Sequence, residues 1–365
     1  MIILIPITLL YGVFAIVGLY NIWSKRVEPK PIELPKGVSL VVALRNESEN
    51  IDRLIYSVLN QKTSFPIELL MVDDNSSDNT FELLSNWASK YKMIKVISNP
   101  LEGKKSAVKS GVEKAIYPIV IQTDADCEMG EFWVMSSINR MLSGKSDLIL
   151  GPVYPFKTKG LLNGLIRLEW LAMQFITALT ARFKNPGMAN GANLIFYKDD
   201  YLTFYSSEYG KKFASGDDMF FLRFLQKKGK KIGFNLDQKA IVYTAMPTSL
   251  KSLLKQRIRW ATKAGKTTNA LTYFFTLIVA MANFAWIGAI FSVVNDFRTL
   301  PILIIAIGWK LTTDFMISWN MARFYKDSKV LIYVPLMFLI YPGYLLLGLL
   351  FSFKKTYSWK GRSVS

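Results

Sequence analysis

Asp124 and Asp126 stand one residue apart, just after the apolar run Tyr117-Pro118-Ile119-Val120-Ile121. Two carboxylates at the carboxyl end of a buried strand can hold a divalent cation against a diphosphate. Oxygen donors suit Mg²⁺ or Mn²⁺, with substrate phosphates completing the shell. An Asp-x-Asp alone arises by chance in a chain of 365 residues, so its weight depends on its company. Val72-Asp73-Asp74-Asn75-Ser76-Ser77-Asp78 precedes it, and Gly216-Asp217-Asp218 and Gln256-Arg257-Ile258-Arg259-Trp260 follow. The chain has no histidine. That excludes histidine triads and histidine metal sites, and it leaves carboxylates as the available general bases.

Each group also has a structural reading. Asp-Asn-Ser-Ser is good turn chemistry. Asp217 and Asp218 precede a helical pattern, where they can cap it. Lys104, after Gly103, opens a helix whose N-terminus favours anions, but it also sits in a basic run with Lys105 and Lys109. Gln256, Arg259 and Trp260 share a helix face at three- and four-residue spacing. Arg259 can grip phosphate bidentately and Trp260 can stack on a sugar ring, though Trp and Arg are also common at membrane interfaces.

The elements that must position these residues alternate. Strands are expected at Val38–Leu44, Ile67–Val72, Ile94–Ile97, Tyr117–Thr123 and Leu148–Val153. Helices are expected at Glu49–Asn60, Asp78–Tyr91, Lys104–Ala115, Glu131–Leu142 and Asp217–Lys228, the last entered through Ser215-Gly216. Continuous apolar strands between amphipathic helices indicate a mostly parallel α/β sheet covered on both faces. Such sheets bind ligands beyond the carboxyl ends of their strands, where Asp73-Asp74 and Asp124-Ala125-Asp126 fall.

Hydrophobic residues make up 51% of the chain, and they are concentrated. Met1 to Ser24, Thr267 to Asn295 and Val330 to Phe353 carry no charge. Each is long enough to cross roughly 30 Å of hydrocarbon as a helix. Leu300 to Asn320 is also apolar but contains Lys310 and Asp314, four apart and so on one face. No basic residue precedes the first run and Lys25-Arg26 follows it, which fits an uncleaved anchor better than a signal peptide. Leu161–Phe183, broken by Arg167, Glu169 and Arg182, reads as an amphipathic helix at the membrane surface or under the domain. Leu250–Lys263 reads as a basic amphipathic helix. The net charge of +18 fits a positive-inside membrane protein better than a nucleic-acid binder. The single cysteine, Cys127, excludes an internal disulfide.

Taken in order, the four motifs resemble the inverting, GT-A family 2 glycosyltransferases. The likeness is strongest to the membrane-integrated branch that includes cellulose, chitin and hyaluronan synthases and ceramide glucosyltransferase. It covers about Val38 to Lys263. The resemblance implies a GT-A domain over 36–265 that includes the interfacial helices, an N-terminal anchor over 1–24, C-terminal membrane helices over 267–353 and a basic tail over 354–365. It assigns Asp73, Asp74, Lys104, Asp124 and Asp126 to the nucleotide sugar, with Asp126 also the ligand of a divalent metal, Mg²⁺ or Mn²⁺. Asp218, beside Asp217, becomes the general base. Gln256, Arg259 and Trp260 go to the acceptor or diphosphate, as do Asn190 and Gly191 in a small-residue loop. The chain departs from the pattern at Ala43-Leu44-Arg45-Asn46, where a side-chain contact from residue 43 is lost.

The activity so implied moves a hexose or N-acetylhexosamine, with a UDP-sugar as the expected donor, to a membrane lipid or lipid-linked saccharide. A processive polysaccharide synthase is the alternative. A nucleotidyltransferase and a non-catalytic scaffold are the readings from other classes. The partners are donor, acceptor and bilayer, with no nucleic acid, and the oligomeric state stays open. The expected location is the plasma or bacterial inner membrane with the catalytic domain in the cytosol. Three further spans would then place the basic tail outside. A re-entrant hairpin at Pro342-Gly343 is expected to return it to the cytosol. The tail segment Trp359-Lys360-Gly361-Arg362 resembles tails of some lipid-modifying members.

Overall fold

The computed structural model describes residues 4–24, 33–208, 217–267, 269–352, 357–359 and 362–364. The chain divides into two compact units. One is Val27–Phe156, Met188–Ala245 and Val364–Ser365; the other is Met1–Arg26, Lys157–Gly187 and Met246–Ser363. The helices at 161–182 and 250–267, expected with the catalytic domain, group instead with the long apolar helices. Lys25, Arg26, Ser215, Gly216, Lys354, Lys355, Lys360 and Gly361 lie outside the described residues.

The strands of the two larger sheets, in chain order, are β1 (Val38–Leu44), β2 (Ile67–Asp73), β3 (Ile94–Ser98), β4 (Ile119–Asp124), β5 (Glu128–Met129), β6 (Leu148–Leu150), β7 (Val153–Pro155), β8 (Leu194–Tyr197), β9 (Ile232–Phe234) and β10 (Val242–Thr244). Seven of them form one sheet in the order β3-β2-β1-β4-β8-β6-β9. Pairing is parallel except where β8 runs against β4 and β6. Val38, Leu40, Val41 and Val42 are fully buried on alternating sides of β1. This two-sided burial is the reason the strand reads as an unbroken apolar run.

The helices in chain order are α1 (Leu4–Ser24), α2 (Ile51–Leu59), α3 (Thr80–Lys90), α4 (Lys104–Lys114), α5 (Trp133–Gly144), α6 (Leu161–Arg182), α7 (Lys198–Ser206), α8 (Asp217–Lys227), α9 (Leu250–Thr267), α10 (Ala270–Asn295), α11 (Leu300–Phe324) and α12 (Val334–Ser352). The stripe Ile51, Leu54, Ile55 and Val58 is buried, as its spacing demands.

One expected strand, Leu148–Val153, is two. The chain breaks at Gly151-Pro152, leaving β6 in the large sheet and β7 in a small sheet ordered β5-β10-β7. Pro152 has no N–H to give a ladder. Gly151 presses on the Asn193 side chain so closely that a Cβ there would lie 2.0 Å from its carboxamide carbon. Asn193 is fully buried, donating Nδ2–H to the Pro152 and Ala240 carbonyls and accepting from Trp133 Nε1.

In the other unit, four helical segments among the described residues are long and apolar enough to cross a membrane: Ile5–Ser24, Ala270–Asn295, Phe297–Phe324 and Ser328–Gly348. Lys310 and Asp314 pair at 2.6 Å, and Tyr11 donates to Asp314 at 2.7 Å. The charges on α6 do not form an exposed polar face. Arg167 pairs with Asp327 and Glu169 with Arg257, all of them largely withdrawn from solvent. The hairpin expected at Pro342-Gly343 is absent, because α12 continues through Pro342 as one helix. A proline removes one backbone hydrogen bond and kinks a helix, and a long apolar helix tolerates that loss.

Candidate active site

The loops after β1 and β2 are tied into one rim. Asn46 and Asn75 both adopt left-handed backbone (φ 53° and 55°), which asparagine tolerates better than most residues. Asn46 Oδ1 accepts from Ser77 N at 2.8 Å, and Arg45 donates to the Asp74 and Asn75 carbonyls. Asp73 Oδ2 accepts from Ser76 N, while its buried Oδ1 has no hydrogen-bond partner among the described residues. Asp74 is fully buried. Its Oδ1 accepts from Asn99 Nδ2 (2.7 Å) and from Gly103 N (2.8 Å), so it anchors the turn that starts α4.

That turn delivers Lys104 into the carboxylates. Its Nζ lies 2.5 Å from Asp124 Oδ1. Burial works against the ammonium, but Asp124, Asp217 and Asp218 outweigh it and hold the lysine charged well above the usual lysine range. The lysine expected to meet phosphates therefore also links the Asp-x-Asp to the Asp217-Asp218 pair.

Gly191 marks the same place from another loop. Its N–H donates to Asp218 Oδ2 at 3.2 Å, and Asp218 Oδ1 accepts from Met219 N at 2.8 Å, which fixes the carboxylate's orientation. A Cβ on Gly191 would meet Gln122 Nε2 at 2.8 Å, Lys104 Nζ at 3.6 Å and Asp218 Oδ2 at 3.9 Å. Asn190 shapes this loop, its Oδ1 accepting from Ala192 N. Gln122, buried on β4 with its Nε2 unbonded among the described residues, is a site residue that the motifs do not reveal. The one signal in the sequence is its polarity inside an apolar strand.

Asp126 is asymmetric with Asp124. Its Oδ2 accepts from Thr244 Oγ1 at 3.3 Å, a partner supplied by the end of β10. Burial, then Asp124 and Glu47, push its pKa up to about 6, against the opposing pull of Lys104 and the Thr244 hydroxyl. Lys104 thus offsets only part of the burial and of the neighbouring acidic charge. Among the described residues no group of three acidic, histidine or cysteine side chains converges. The donor set fits a hard cation that takes few protein oxygens and relies on substrate phosphates.

In the unit with the long apolar helices, Gln256, Arg259 and Trp260 lie half-buried on α9. The intervening Arg257, a position the motif leaves open, organises this face. It bonds Glu169 at 2.6 Å and Tyr344 at 2.7 Å, donates to Gln256 Oε1 and lies 4.3 Å over the Trp260 ring. Trp170 packs edge-on against Trp260. Burial opposes the Arg257 charge, but Glu169 and Tyr344 raise its pKa further.

Several known proteins are similar to this chain. A chondroitin synthase of Pasteurella multocida is 25% identical over 223 residues, 58% of this chain and 22% of its own. A poly-beta-1,6-N-acetyl-D-glucosamine synthase of Staphylococcus aureus is 25% identical over 62% of this chain and 54% of its own. A cholesterol galactosyltransferase of Borreliella burgdorferi is 28% identical over 32% of each. The chain thus spans between 22% and 54% of the length of these relatives. Among solved structures, a mannosyltransferase of Pyrobaculum calidifontis in complex with GDP-Man and Mn2+ shares the fold. It has a TM-score of 0.50 and 17% identity over 92% of this chain and 99% of its own. Residues 39–203 match the model of glycosyl transferase family 2, over the stretch that forms most of the large sheet.

Proposed function

We propose that the protein is a membrane-integrated inverting glycosyltransferase. It moves a hexose or N-acetylhexosamine from a nucleotide sugar, with a UDP-sugar as the expected donor, to a membrane lipid or lipid-linked acceptor. One observation carries this reading. Around Gly191, Lys104 with its partner Asp124 comes near Asp218, so one lysine links the first carboxylate of the Asp-x-Asp to the candidate base.

Asp218, oriented by the Gly191 and Met219 N–H groups, accepts the proton of the acceptor hydroxyl as that oxygen attacks C1 of the sugar. The nucleoside diphosphate leaves from the opposite face, which inverts the anomeric centre. A positioned base contributes about 10²–10⁴-fold. Asp73, Asp74 and Asp124 serve the nucleotide and its ribose, and Asp74 also holds the Gly103-Lys104 turn in place. Asp126 would hold a divalent metal, which when bound supplies neutralisation of the departing diphosphate. The mannosyltransferase with the same fold was solved with Mn2+, which supports such a site. Gln256, Arg259 and Trp260 serve the acceptor or diphosphate by resemblance to the family motif. The cholesterol galactosyltransferase likeness favours a lipid acceptor. The four long apolar helices favour membrane integration, with the catalytic domain on the side that holds sugar nucleotides.

The test is purified full-length protein with Mn²⁺, a panel of nucleotide sugars and a membrane-lipid extract. Nucleoside diphosphate release coupled to glycolipid formation is expected. Pyrophosphate release would instead indicate a nucleotidyltransferase, a ladder of lengthening products a processive synthase, and no turnover with any donor a scaffold.

A further inference from the structure

A cavity of about 950 Å³ opens at one end of the apolar helices, lined wholly by residues of their own unit. Its walls are the approach to α6 and the connection from α11 to α12. Six cations line it: Lys157, Lys159, Arg167, Arg323, Lys326 and Lys329. Asp327 is the one carboxylate among the lining residues.

Two of these cations have structural work. Arg167 pairs with Asp327 in the floor, and both are buried. Lys157 donates to the Lys326 carbonyl at 2.8 Å, where α11 ends in a turn with Lys326 in left-handed backbone (φ 52°). Lysines near a helix C-terminus are favoured by its dipole, so part of the basic character serves α11 itself. Lys159, Lys326 and Lys329 are exposed around a cavity far larger than a helix cap needs.

The place of the cavity says what it takes. It sits where the segments Phe297–Phe324 and Ser328–Gly348 meet, at their shared end; with both segments spanning a bilayer, that end falls at the headgroups. From its rim an exposed apolar row, Ile332, Leu336 and Leu339, runs along the second segment at helical spacing. A phosphate among the lysines and an acyl chain on that row satisfy both surfaces at once. A soluble anion uses only the first.

We propose that this cavity is a binding site for the phosphate headgroup of an anionic membrane lipid. The site is separate from the Asp-x-Asp machinery in its residues. It rests on the membrane placement of α11 and α12 and not on the transfer reaction. Basic pockets between membrane helices bind anionic headgroups in this way, at about 1 kcal/mol per lysine near the surface.

The experiment is native mass spectrometry of the full-length protein in a neutral detergent, titrated with phosphatidylglycerol or phosphatidylcholine. The triple variant Lys159→Gln, Lys326→Gln and Lys329→Gln is expected to weaken phosphatidylglycerol binding about 10- to 100-fold. The charge-matched control is Lys184→Gln, Lys251→Gln and Arg298→Gln, exposed positions of the same unit away from the cavity lining. It should bind like the unsubstituted protein, with thermal melting reporting that both variants fold. Millimolar glycerol phosphate should not compete. Equal loss in both triples would mean diffuse charge attraction. No loss in the cavity triple, or competition by glycerol phosphate at the lipid's own concentration, would overturn the lipid site.

Discussion

Lys104 Nζ lies 2.5 Å from Asp124 Oδ1, so the first residue of α4 is ion-paired with the first carboxylate of the Asp-x-Asp. The pair gives Asp124 a cationic partner, whereas Asp126 accepts from the Thr244 hydroxyl and has its pKa pushed up to about 6. It also places one positive charge among Asp124, Asp217 and Asp218, which would otherwise repel one another. Lys104→Met is expected to weaken nucleoside diphosphate binding about tenfold, the worth of one charge-assisted contact, and to lower the melting temperature. Calorimetric titration with UDP and thermal melting measure the two effects. Unchanged UDP affinity would remove the lysine from donor binding.

Asp218→Asn keeps the shape but not the basicity of the residue held by the Gly191 N–H. Turnover should fall about 10²–10⁴-fold while donor binding stays within a few-fold. Single-turnover kinetics alongside donor titration separates the two quantities. Retained turnover would refute the assignment of the base.

Gly191→Ala puts a Cβ 2.8 Å from Gln122 Nε2, the far end of a side chain, and close to Lys104 and Asp218. Melting should change little, because the amide end can shift. Activity should fall by at least tenfold, as about 1.4 kcal/mol of misplacement suffices for that. Adding Gln122→Ala opens the space again and should restore part of the rate. If it does not, the loss lies in the backbone of the loop.

The raised pKa of Asp126, about 6 against an ordinary 3.8, fixes the sign of a pH effect. Above pH 6 the buried carboxylate is ionised, which disfavours the metal-free fold and favours a cation. Below pH 6 protons compete with the cation, so Mn²⁺ affinity should drop about tenfold per pH unit. Titrating Mn²⁺ into the protein with UDP between pH 5 and 8 measures this. Metal-free Asp126→Asn should melt higher than the parent at pH 7 and lose that advantage near pH 4. A flat affinity across the range would remove Asp126 from the metal site.

Lys310 is buried on α11 and its charge is met by Asp314. Asp314→Leu strands that ammonium and should cost about 3–5 kcal/mol, as broken buried pairs do. Lys310→Met combined with Asp314→Leu should recover most of it. Melting of both variants in one detergent decides the matter. Equal losses in the single and double variants would mean that the pair contributes little.

Much of this was legible in the chain because it is local. An apolar run with the right flanks is a strand wherever the sheet lies, so β1, β2 and β4 fall where their side chains place them. Four-residue spacing puts Lys310 beside Asp314 in any helix, and long apolar runs, three of them free of charge, mark the four segments that can span a bilayer. The order of the carboxylate motifs likewise needs no third dimension. What the tertiary structure decided are contacts between distant residues: Lys104 with Asp124 across 20 positions, Gly191 with Asp218 across 27, Thr244 with Asp126 across 118. It also turned Arg167 and Glu169 inward, split a strand at Gly151 and carried α12 through Pro342. Those outcomes depend on which surfaces meet and on how much room they leave. Neither periodicity nor motif carries that information, because burial and pairing are properties of two segments at once.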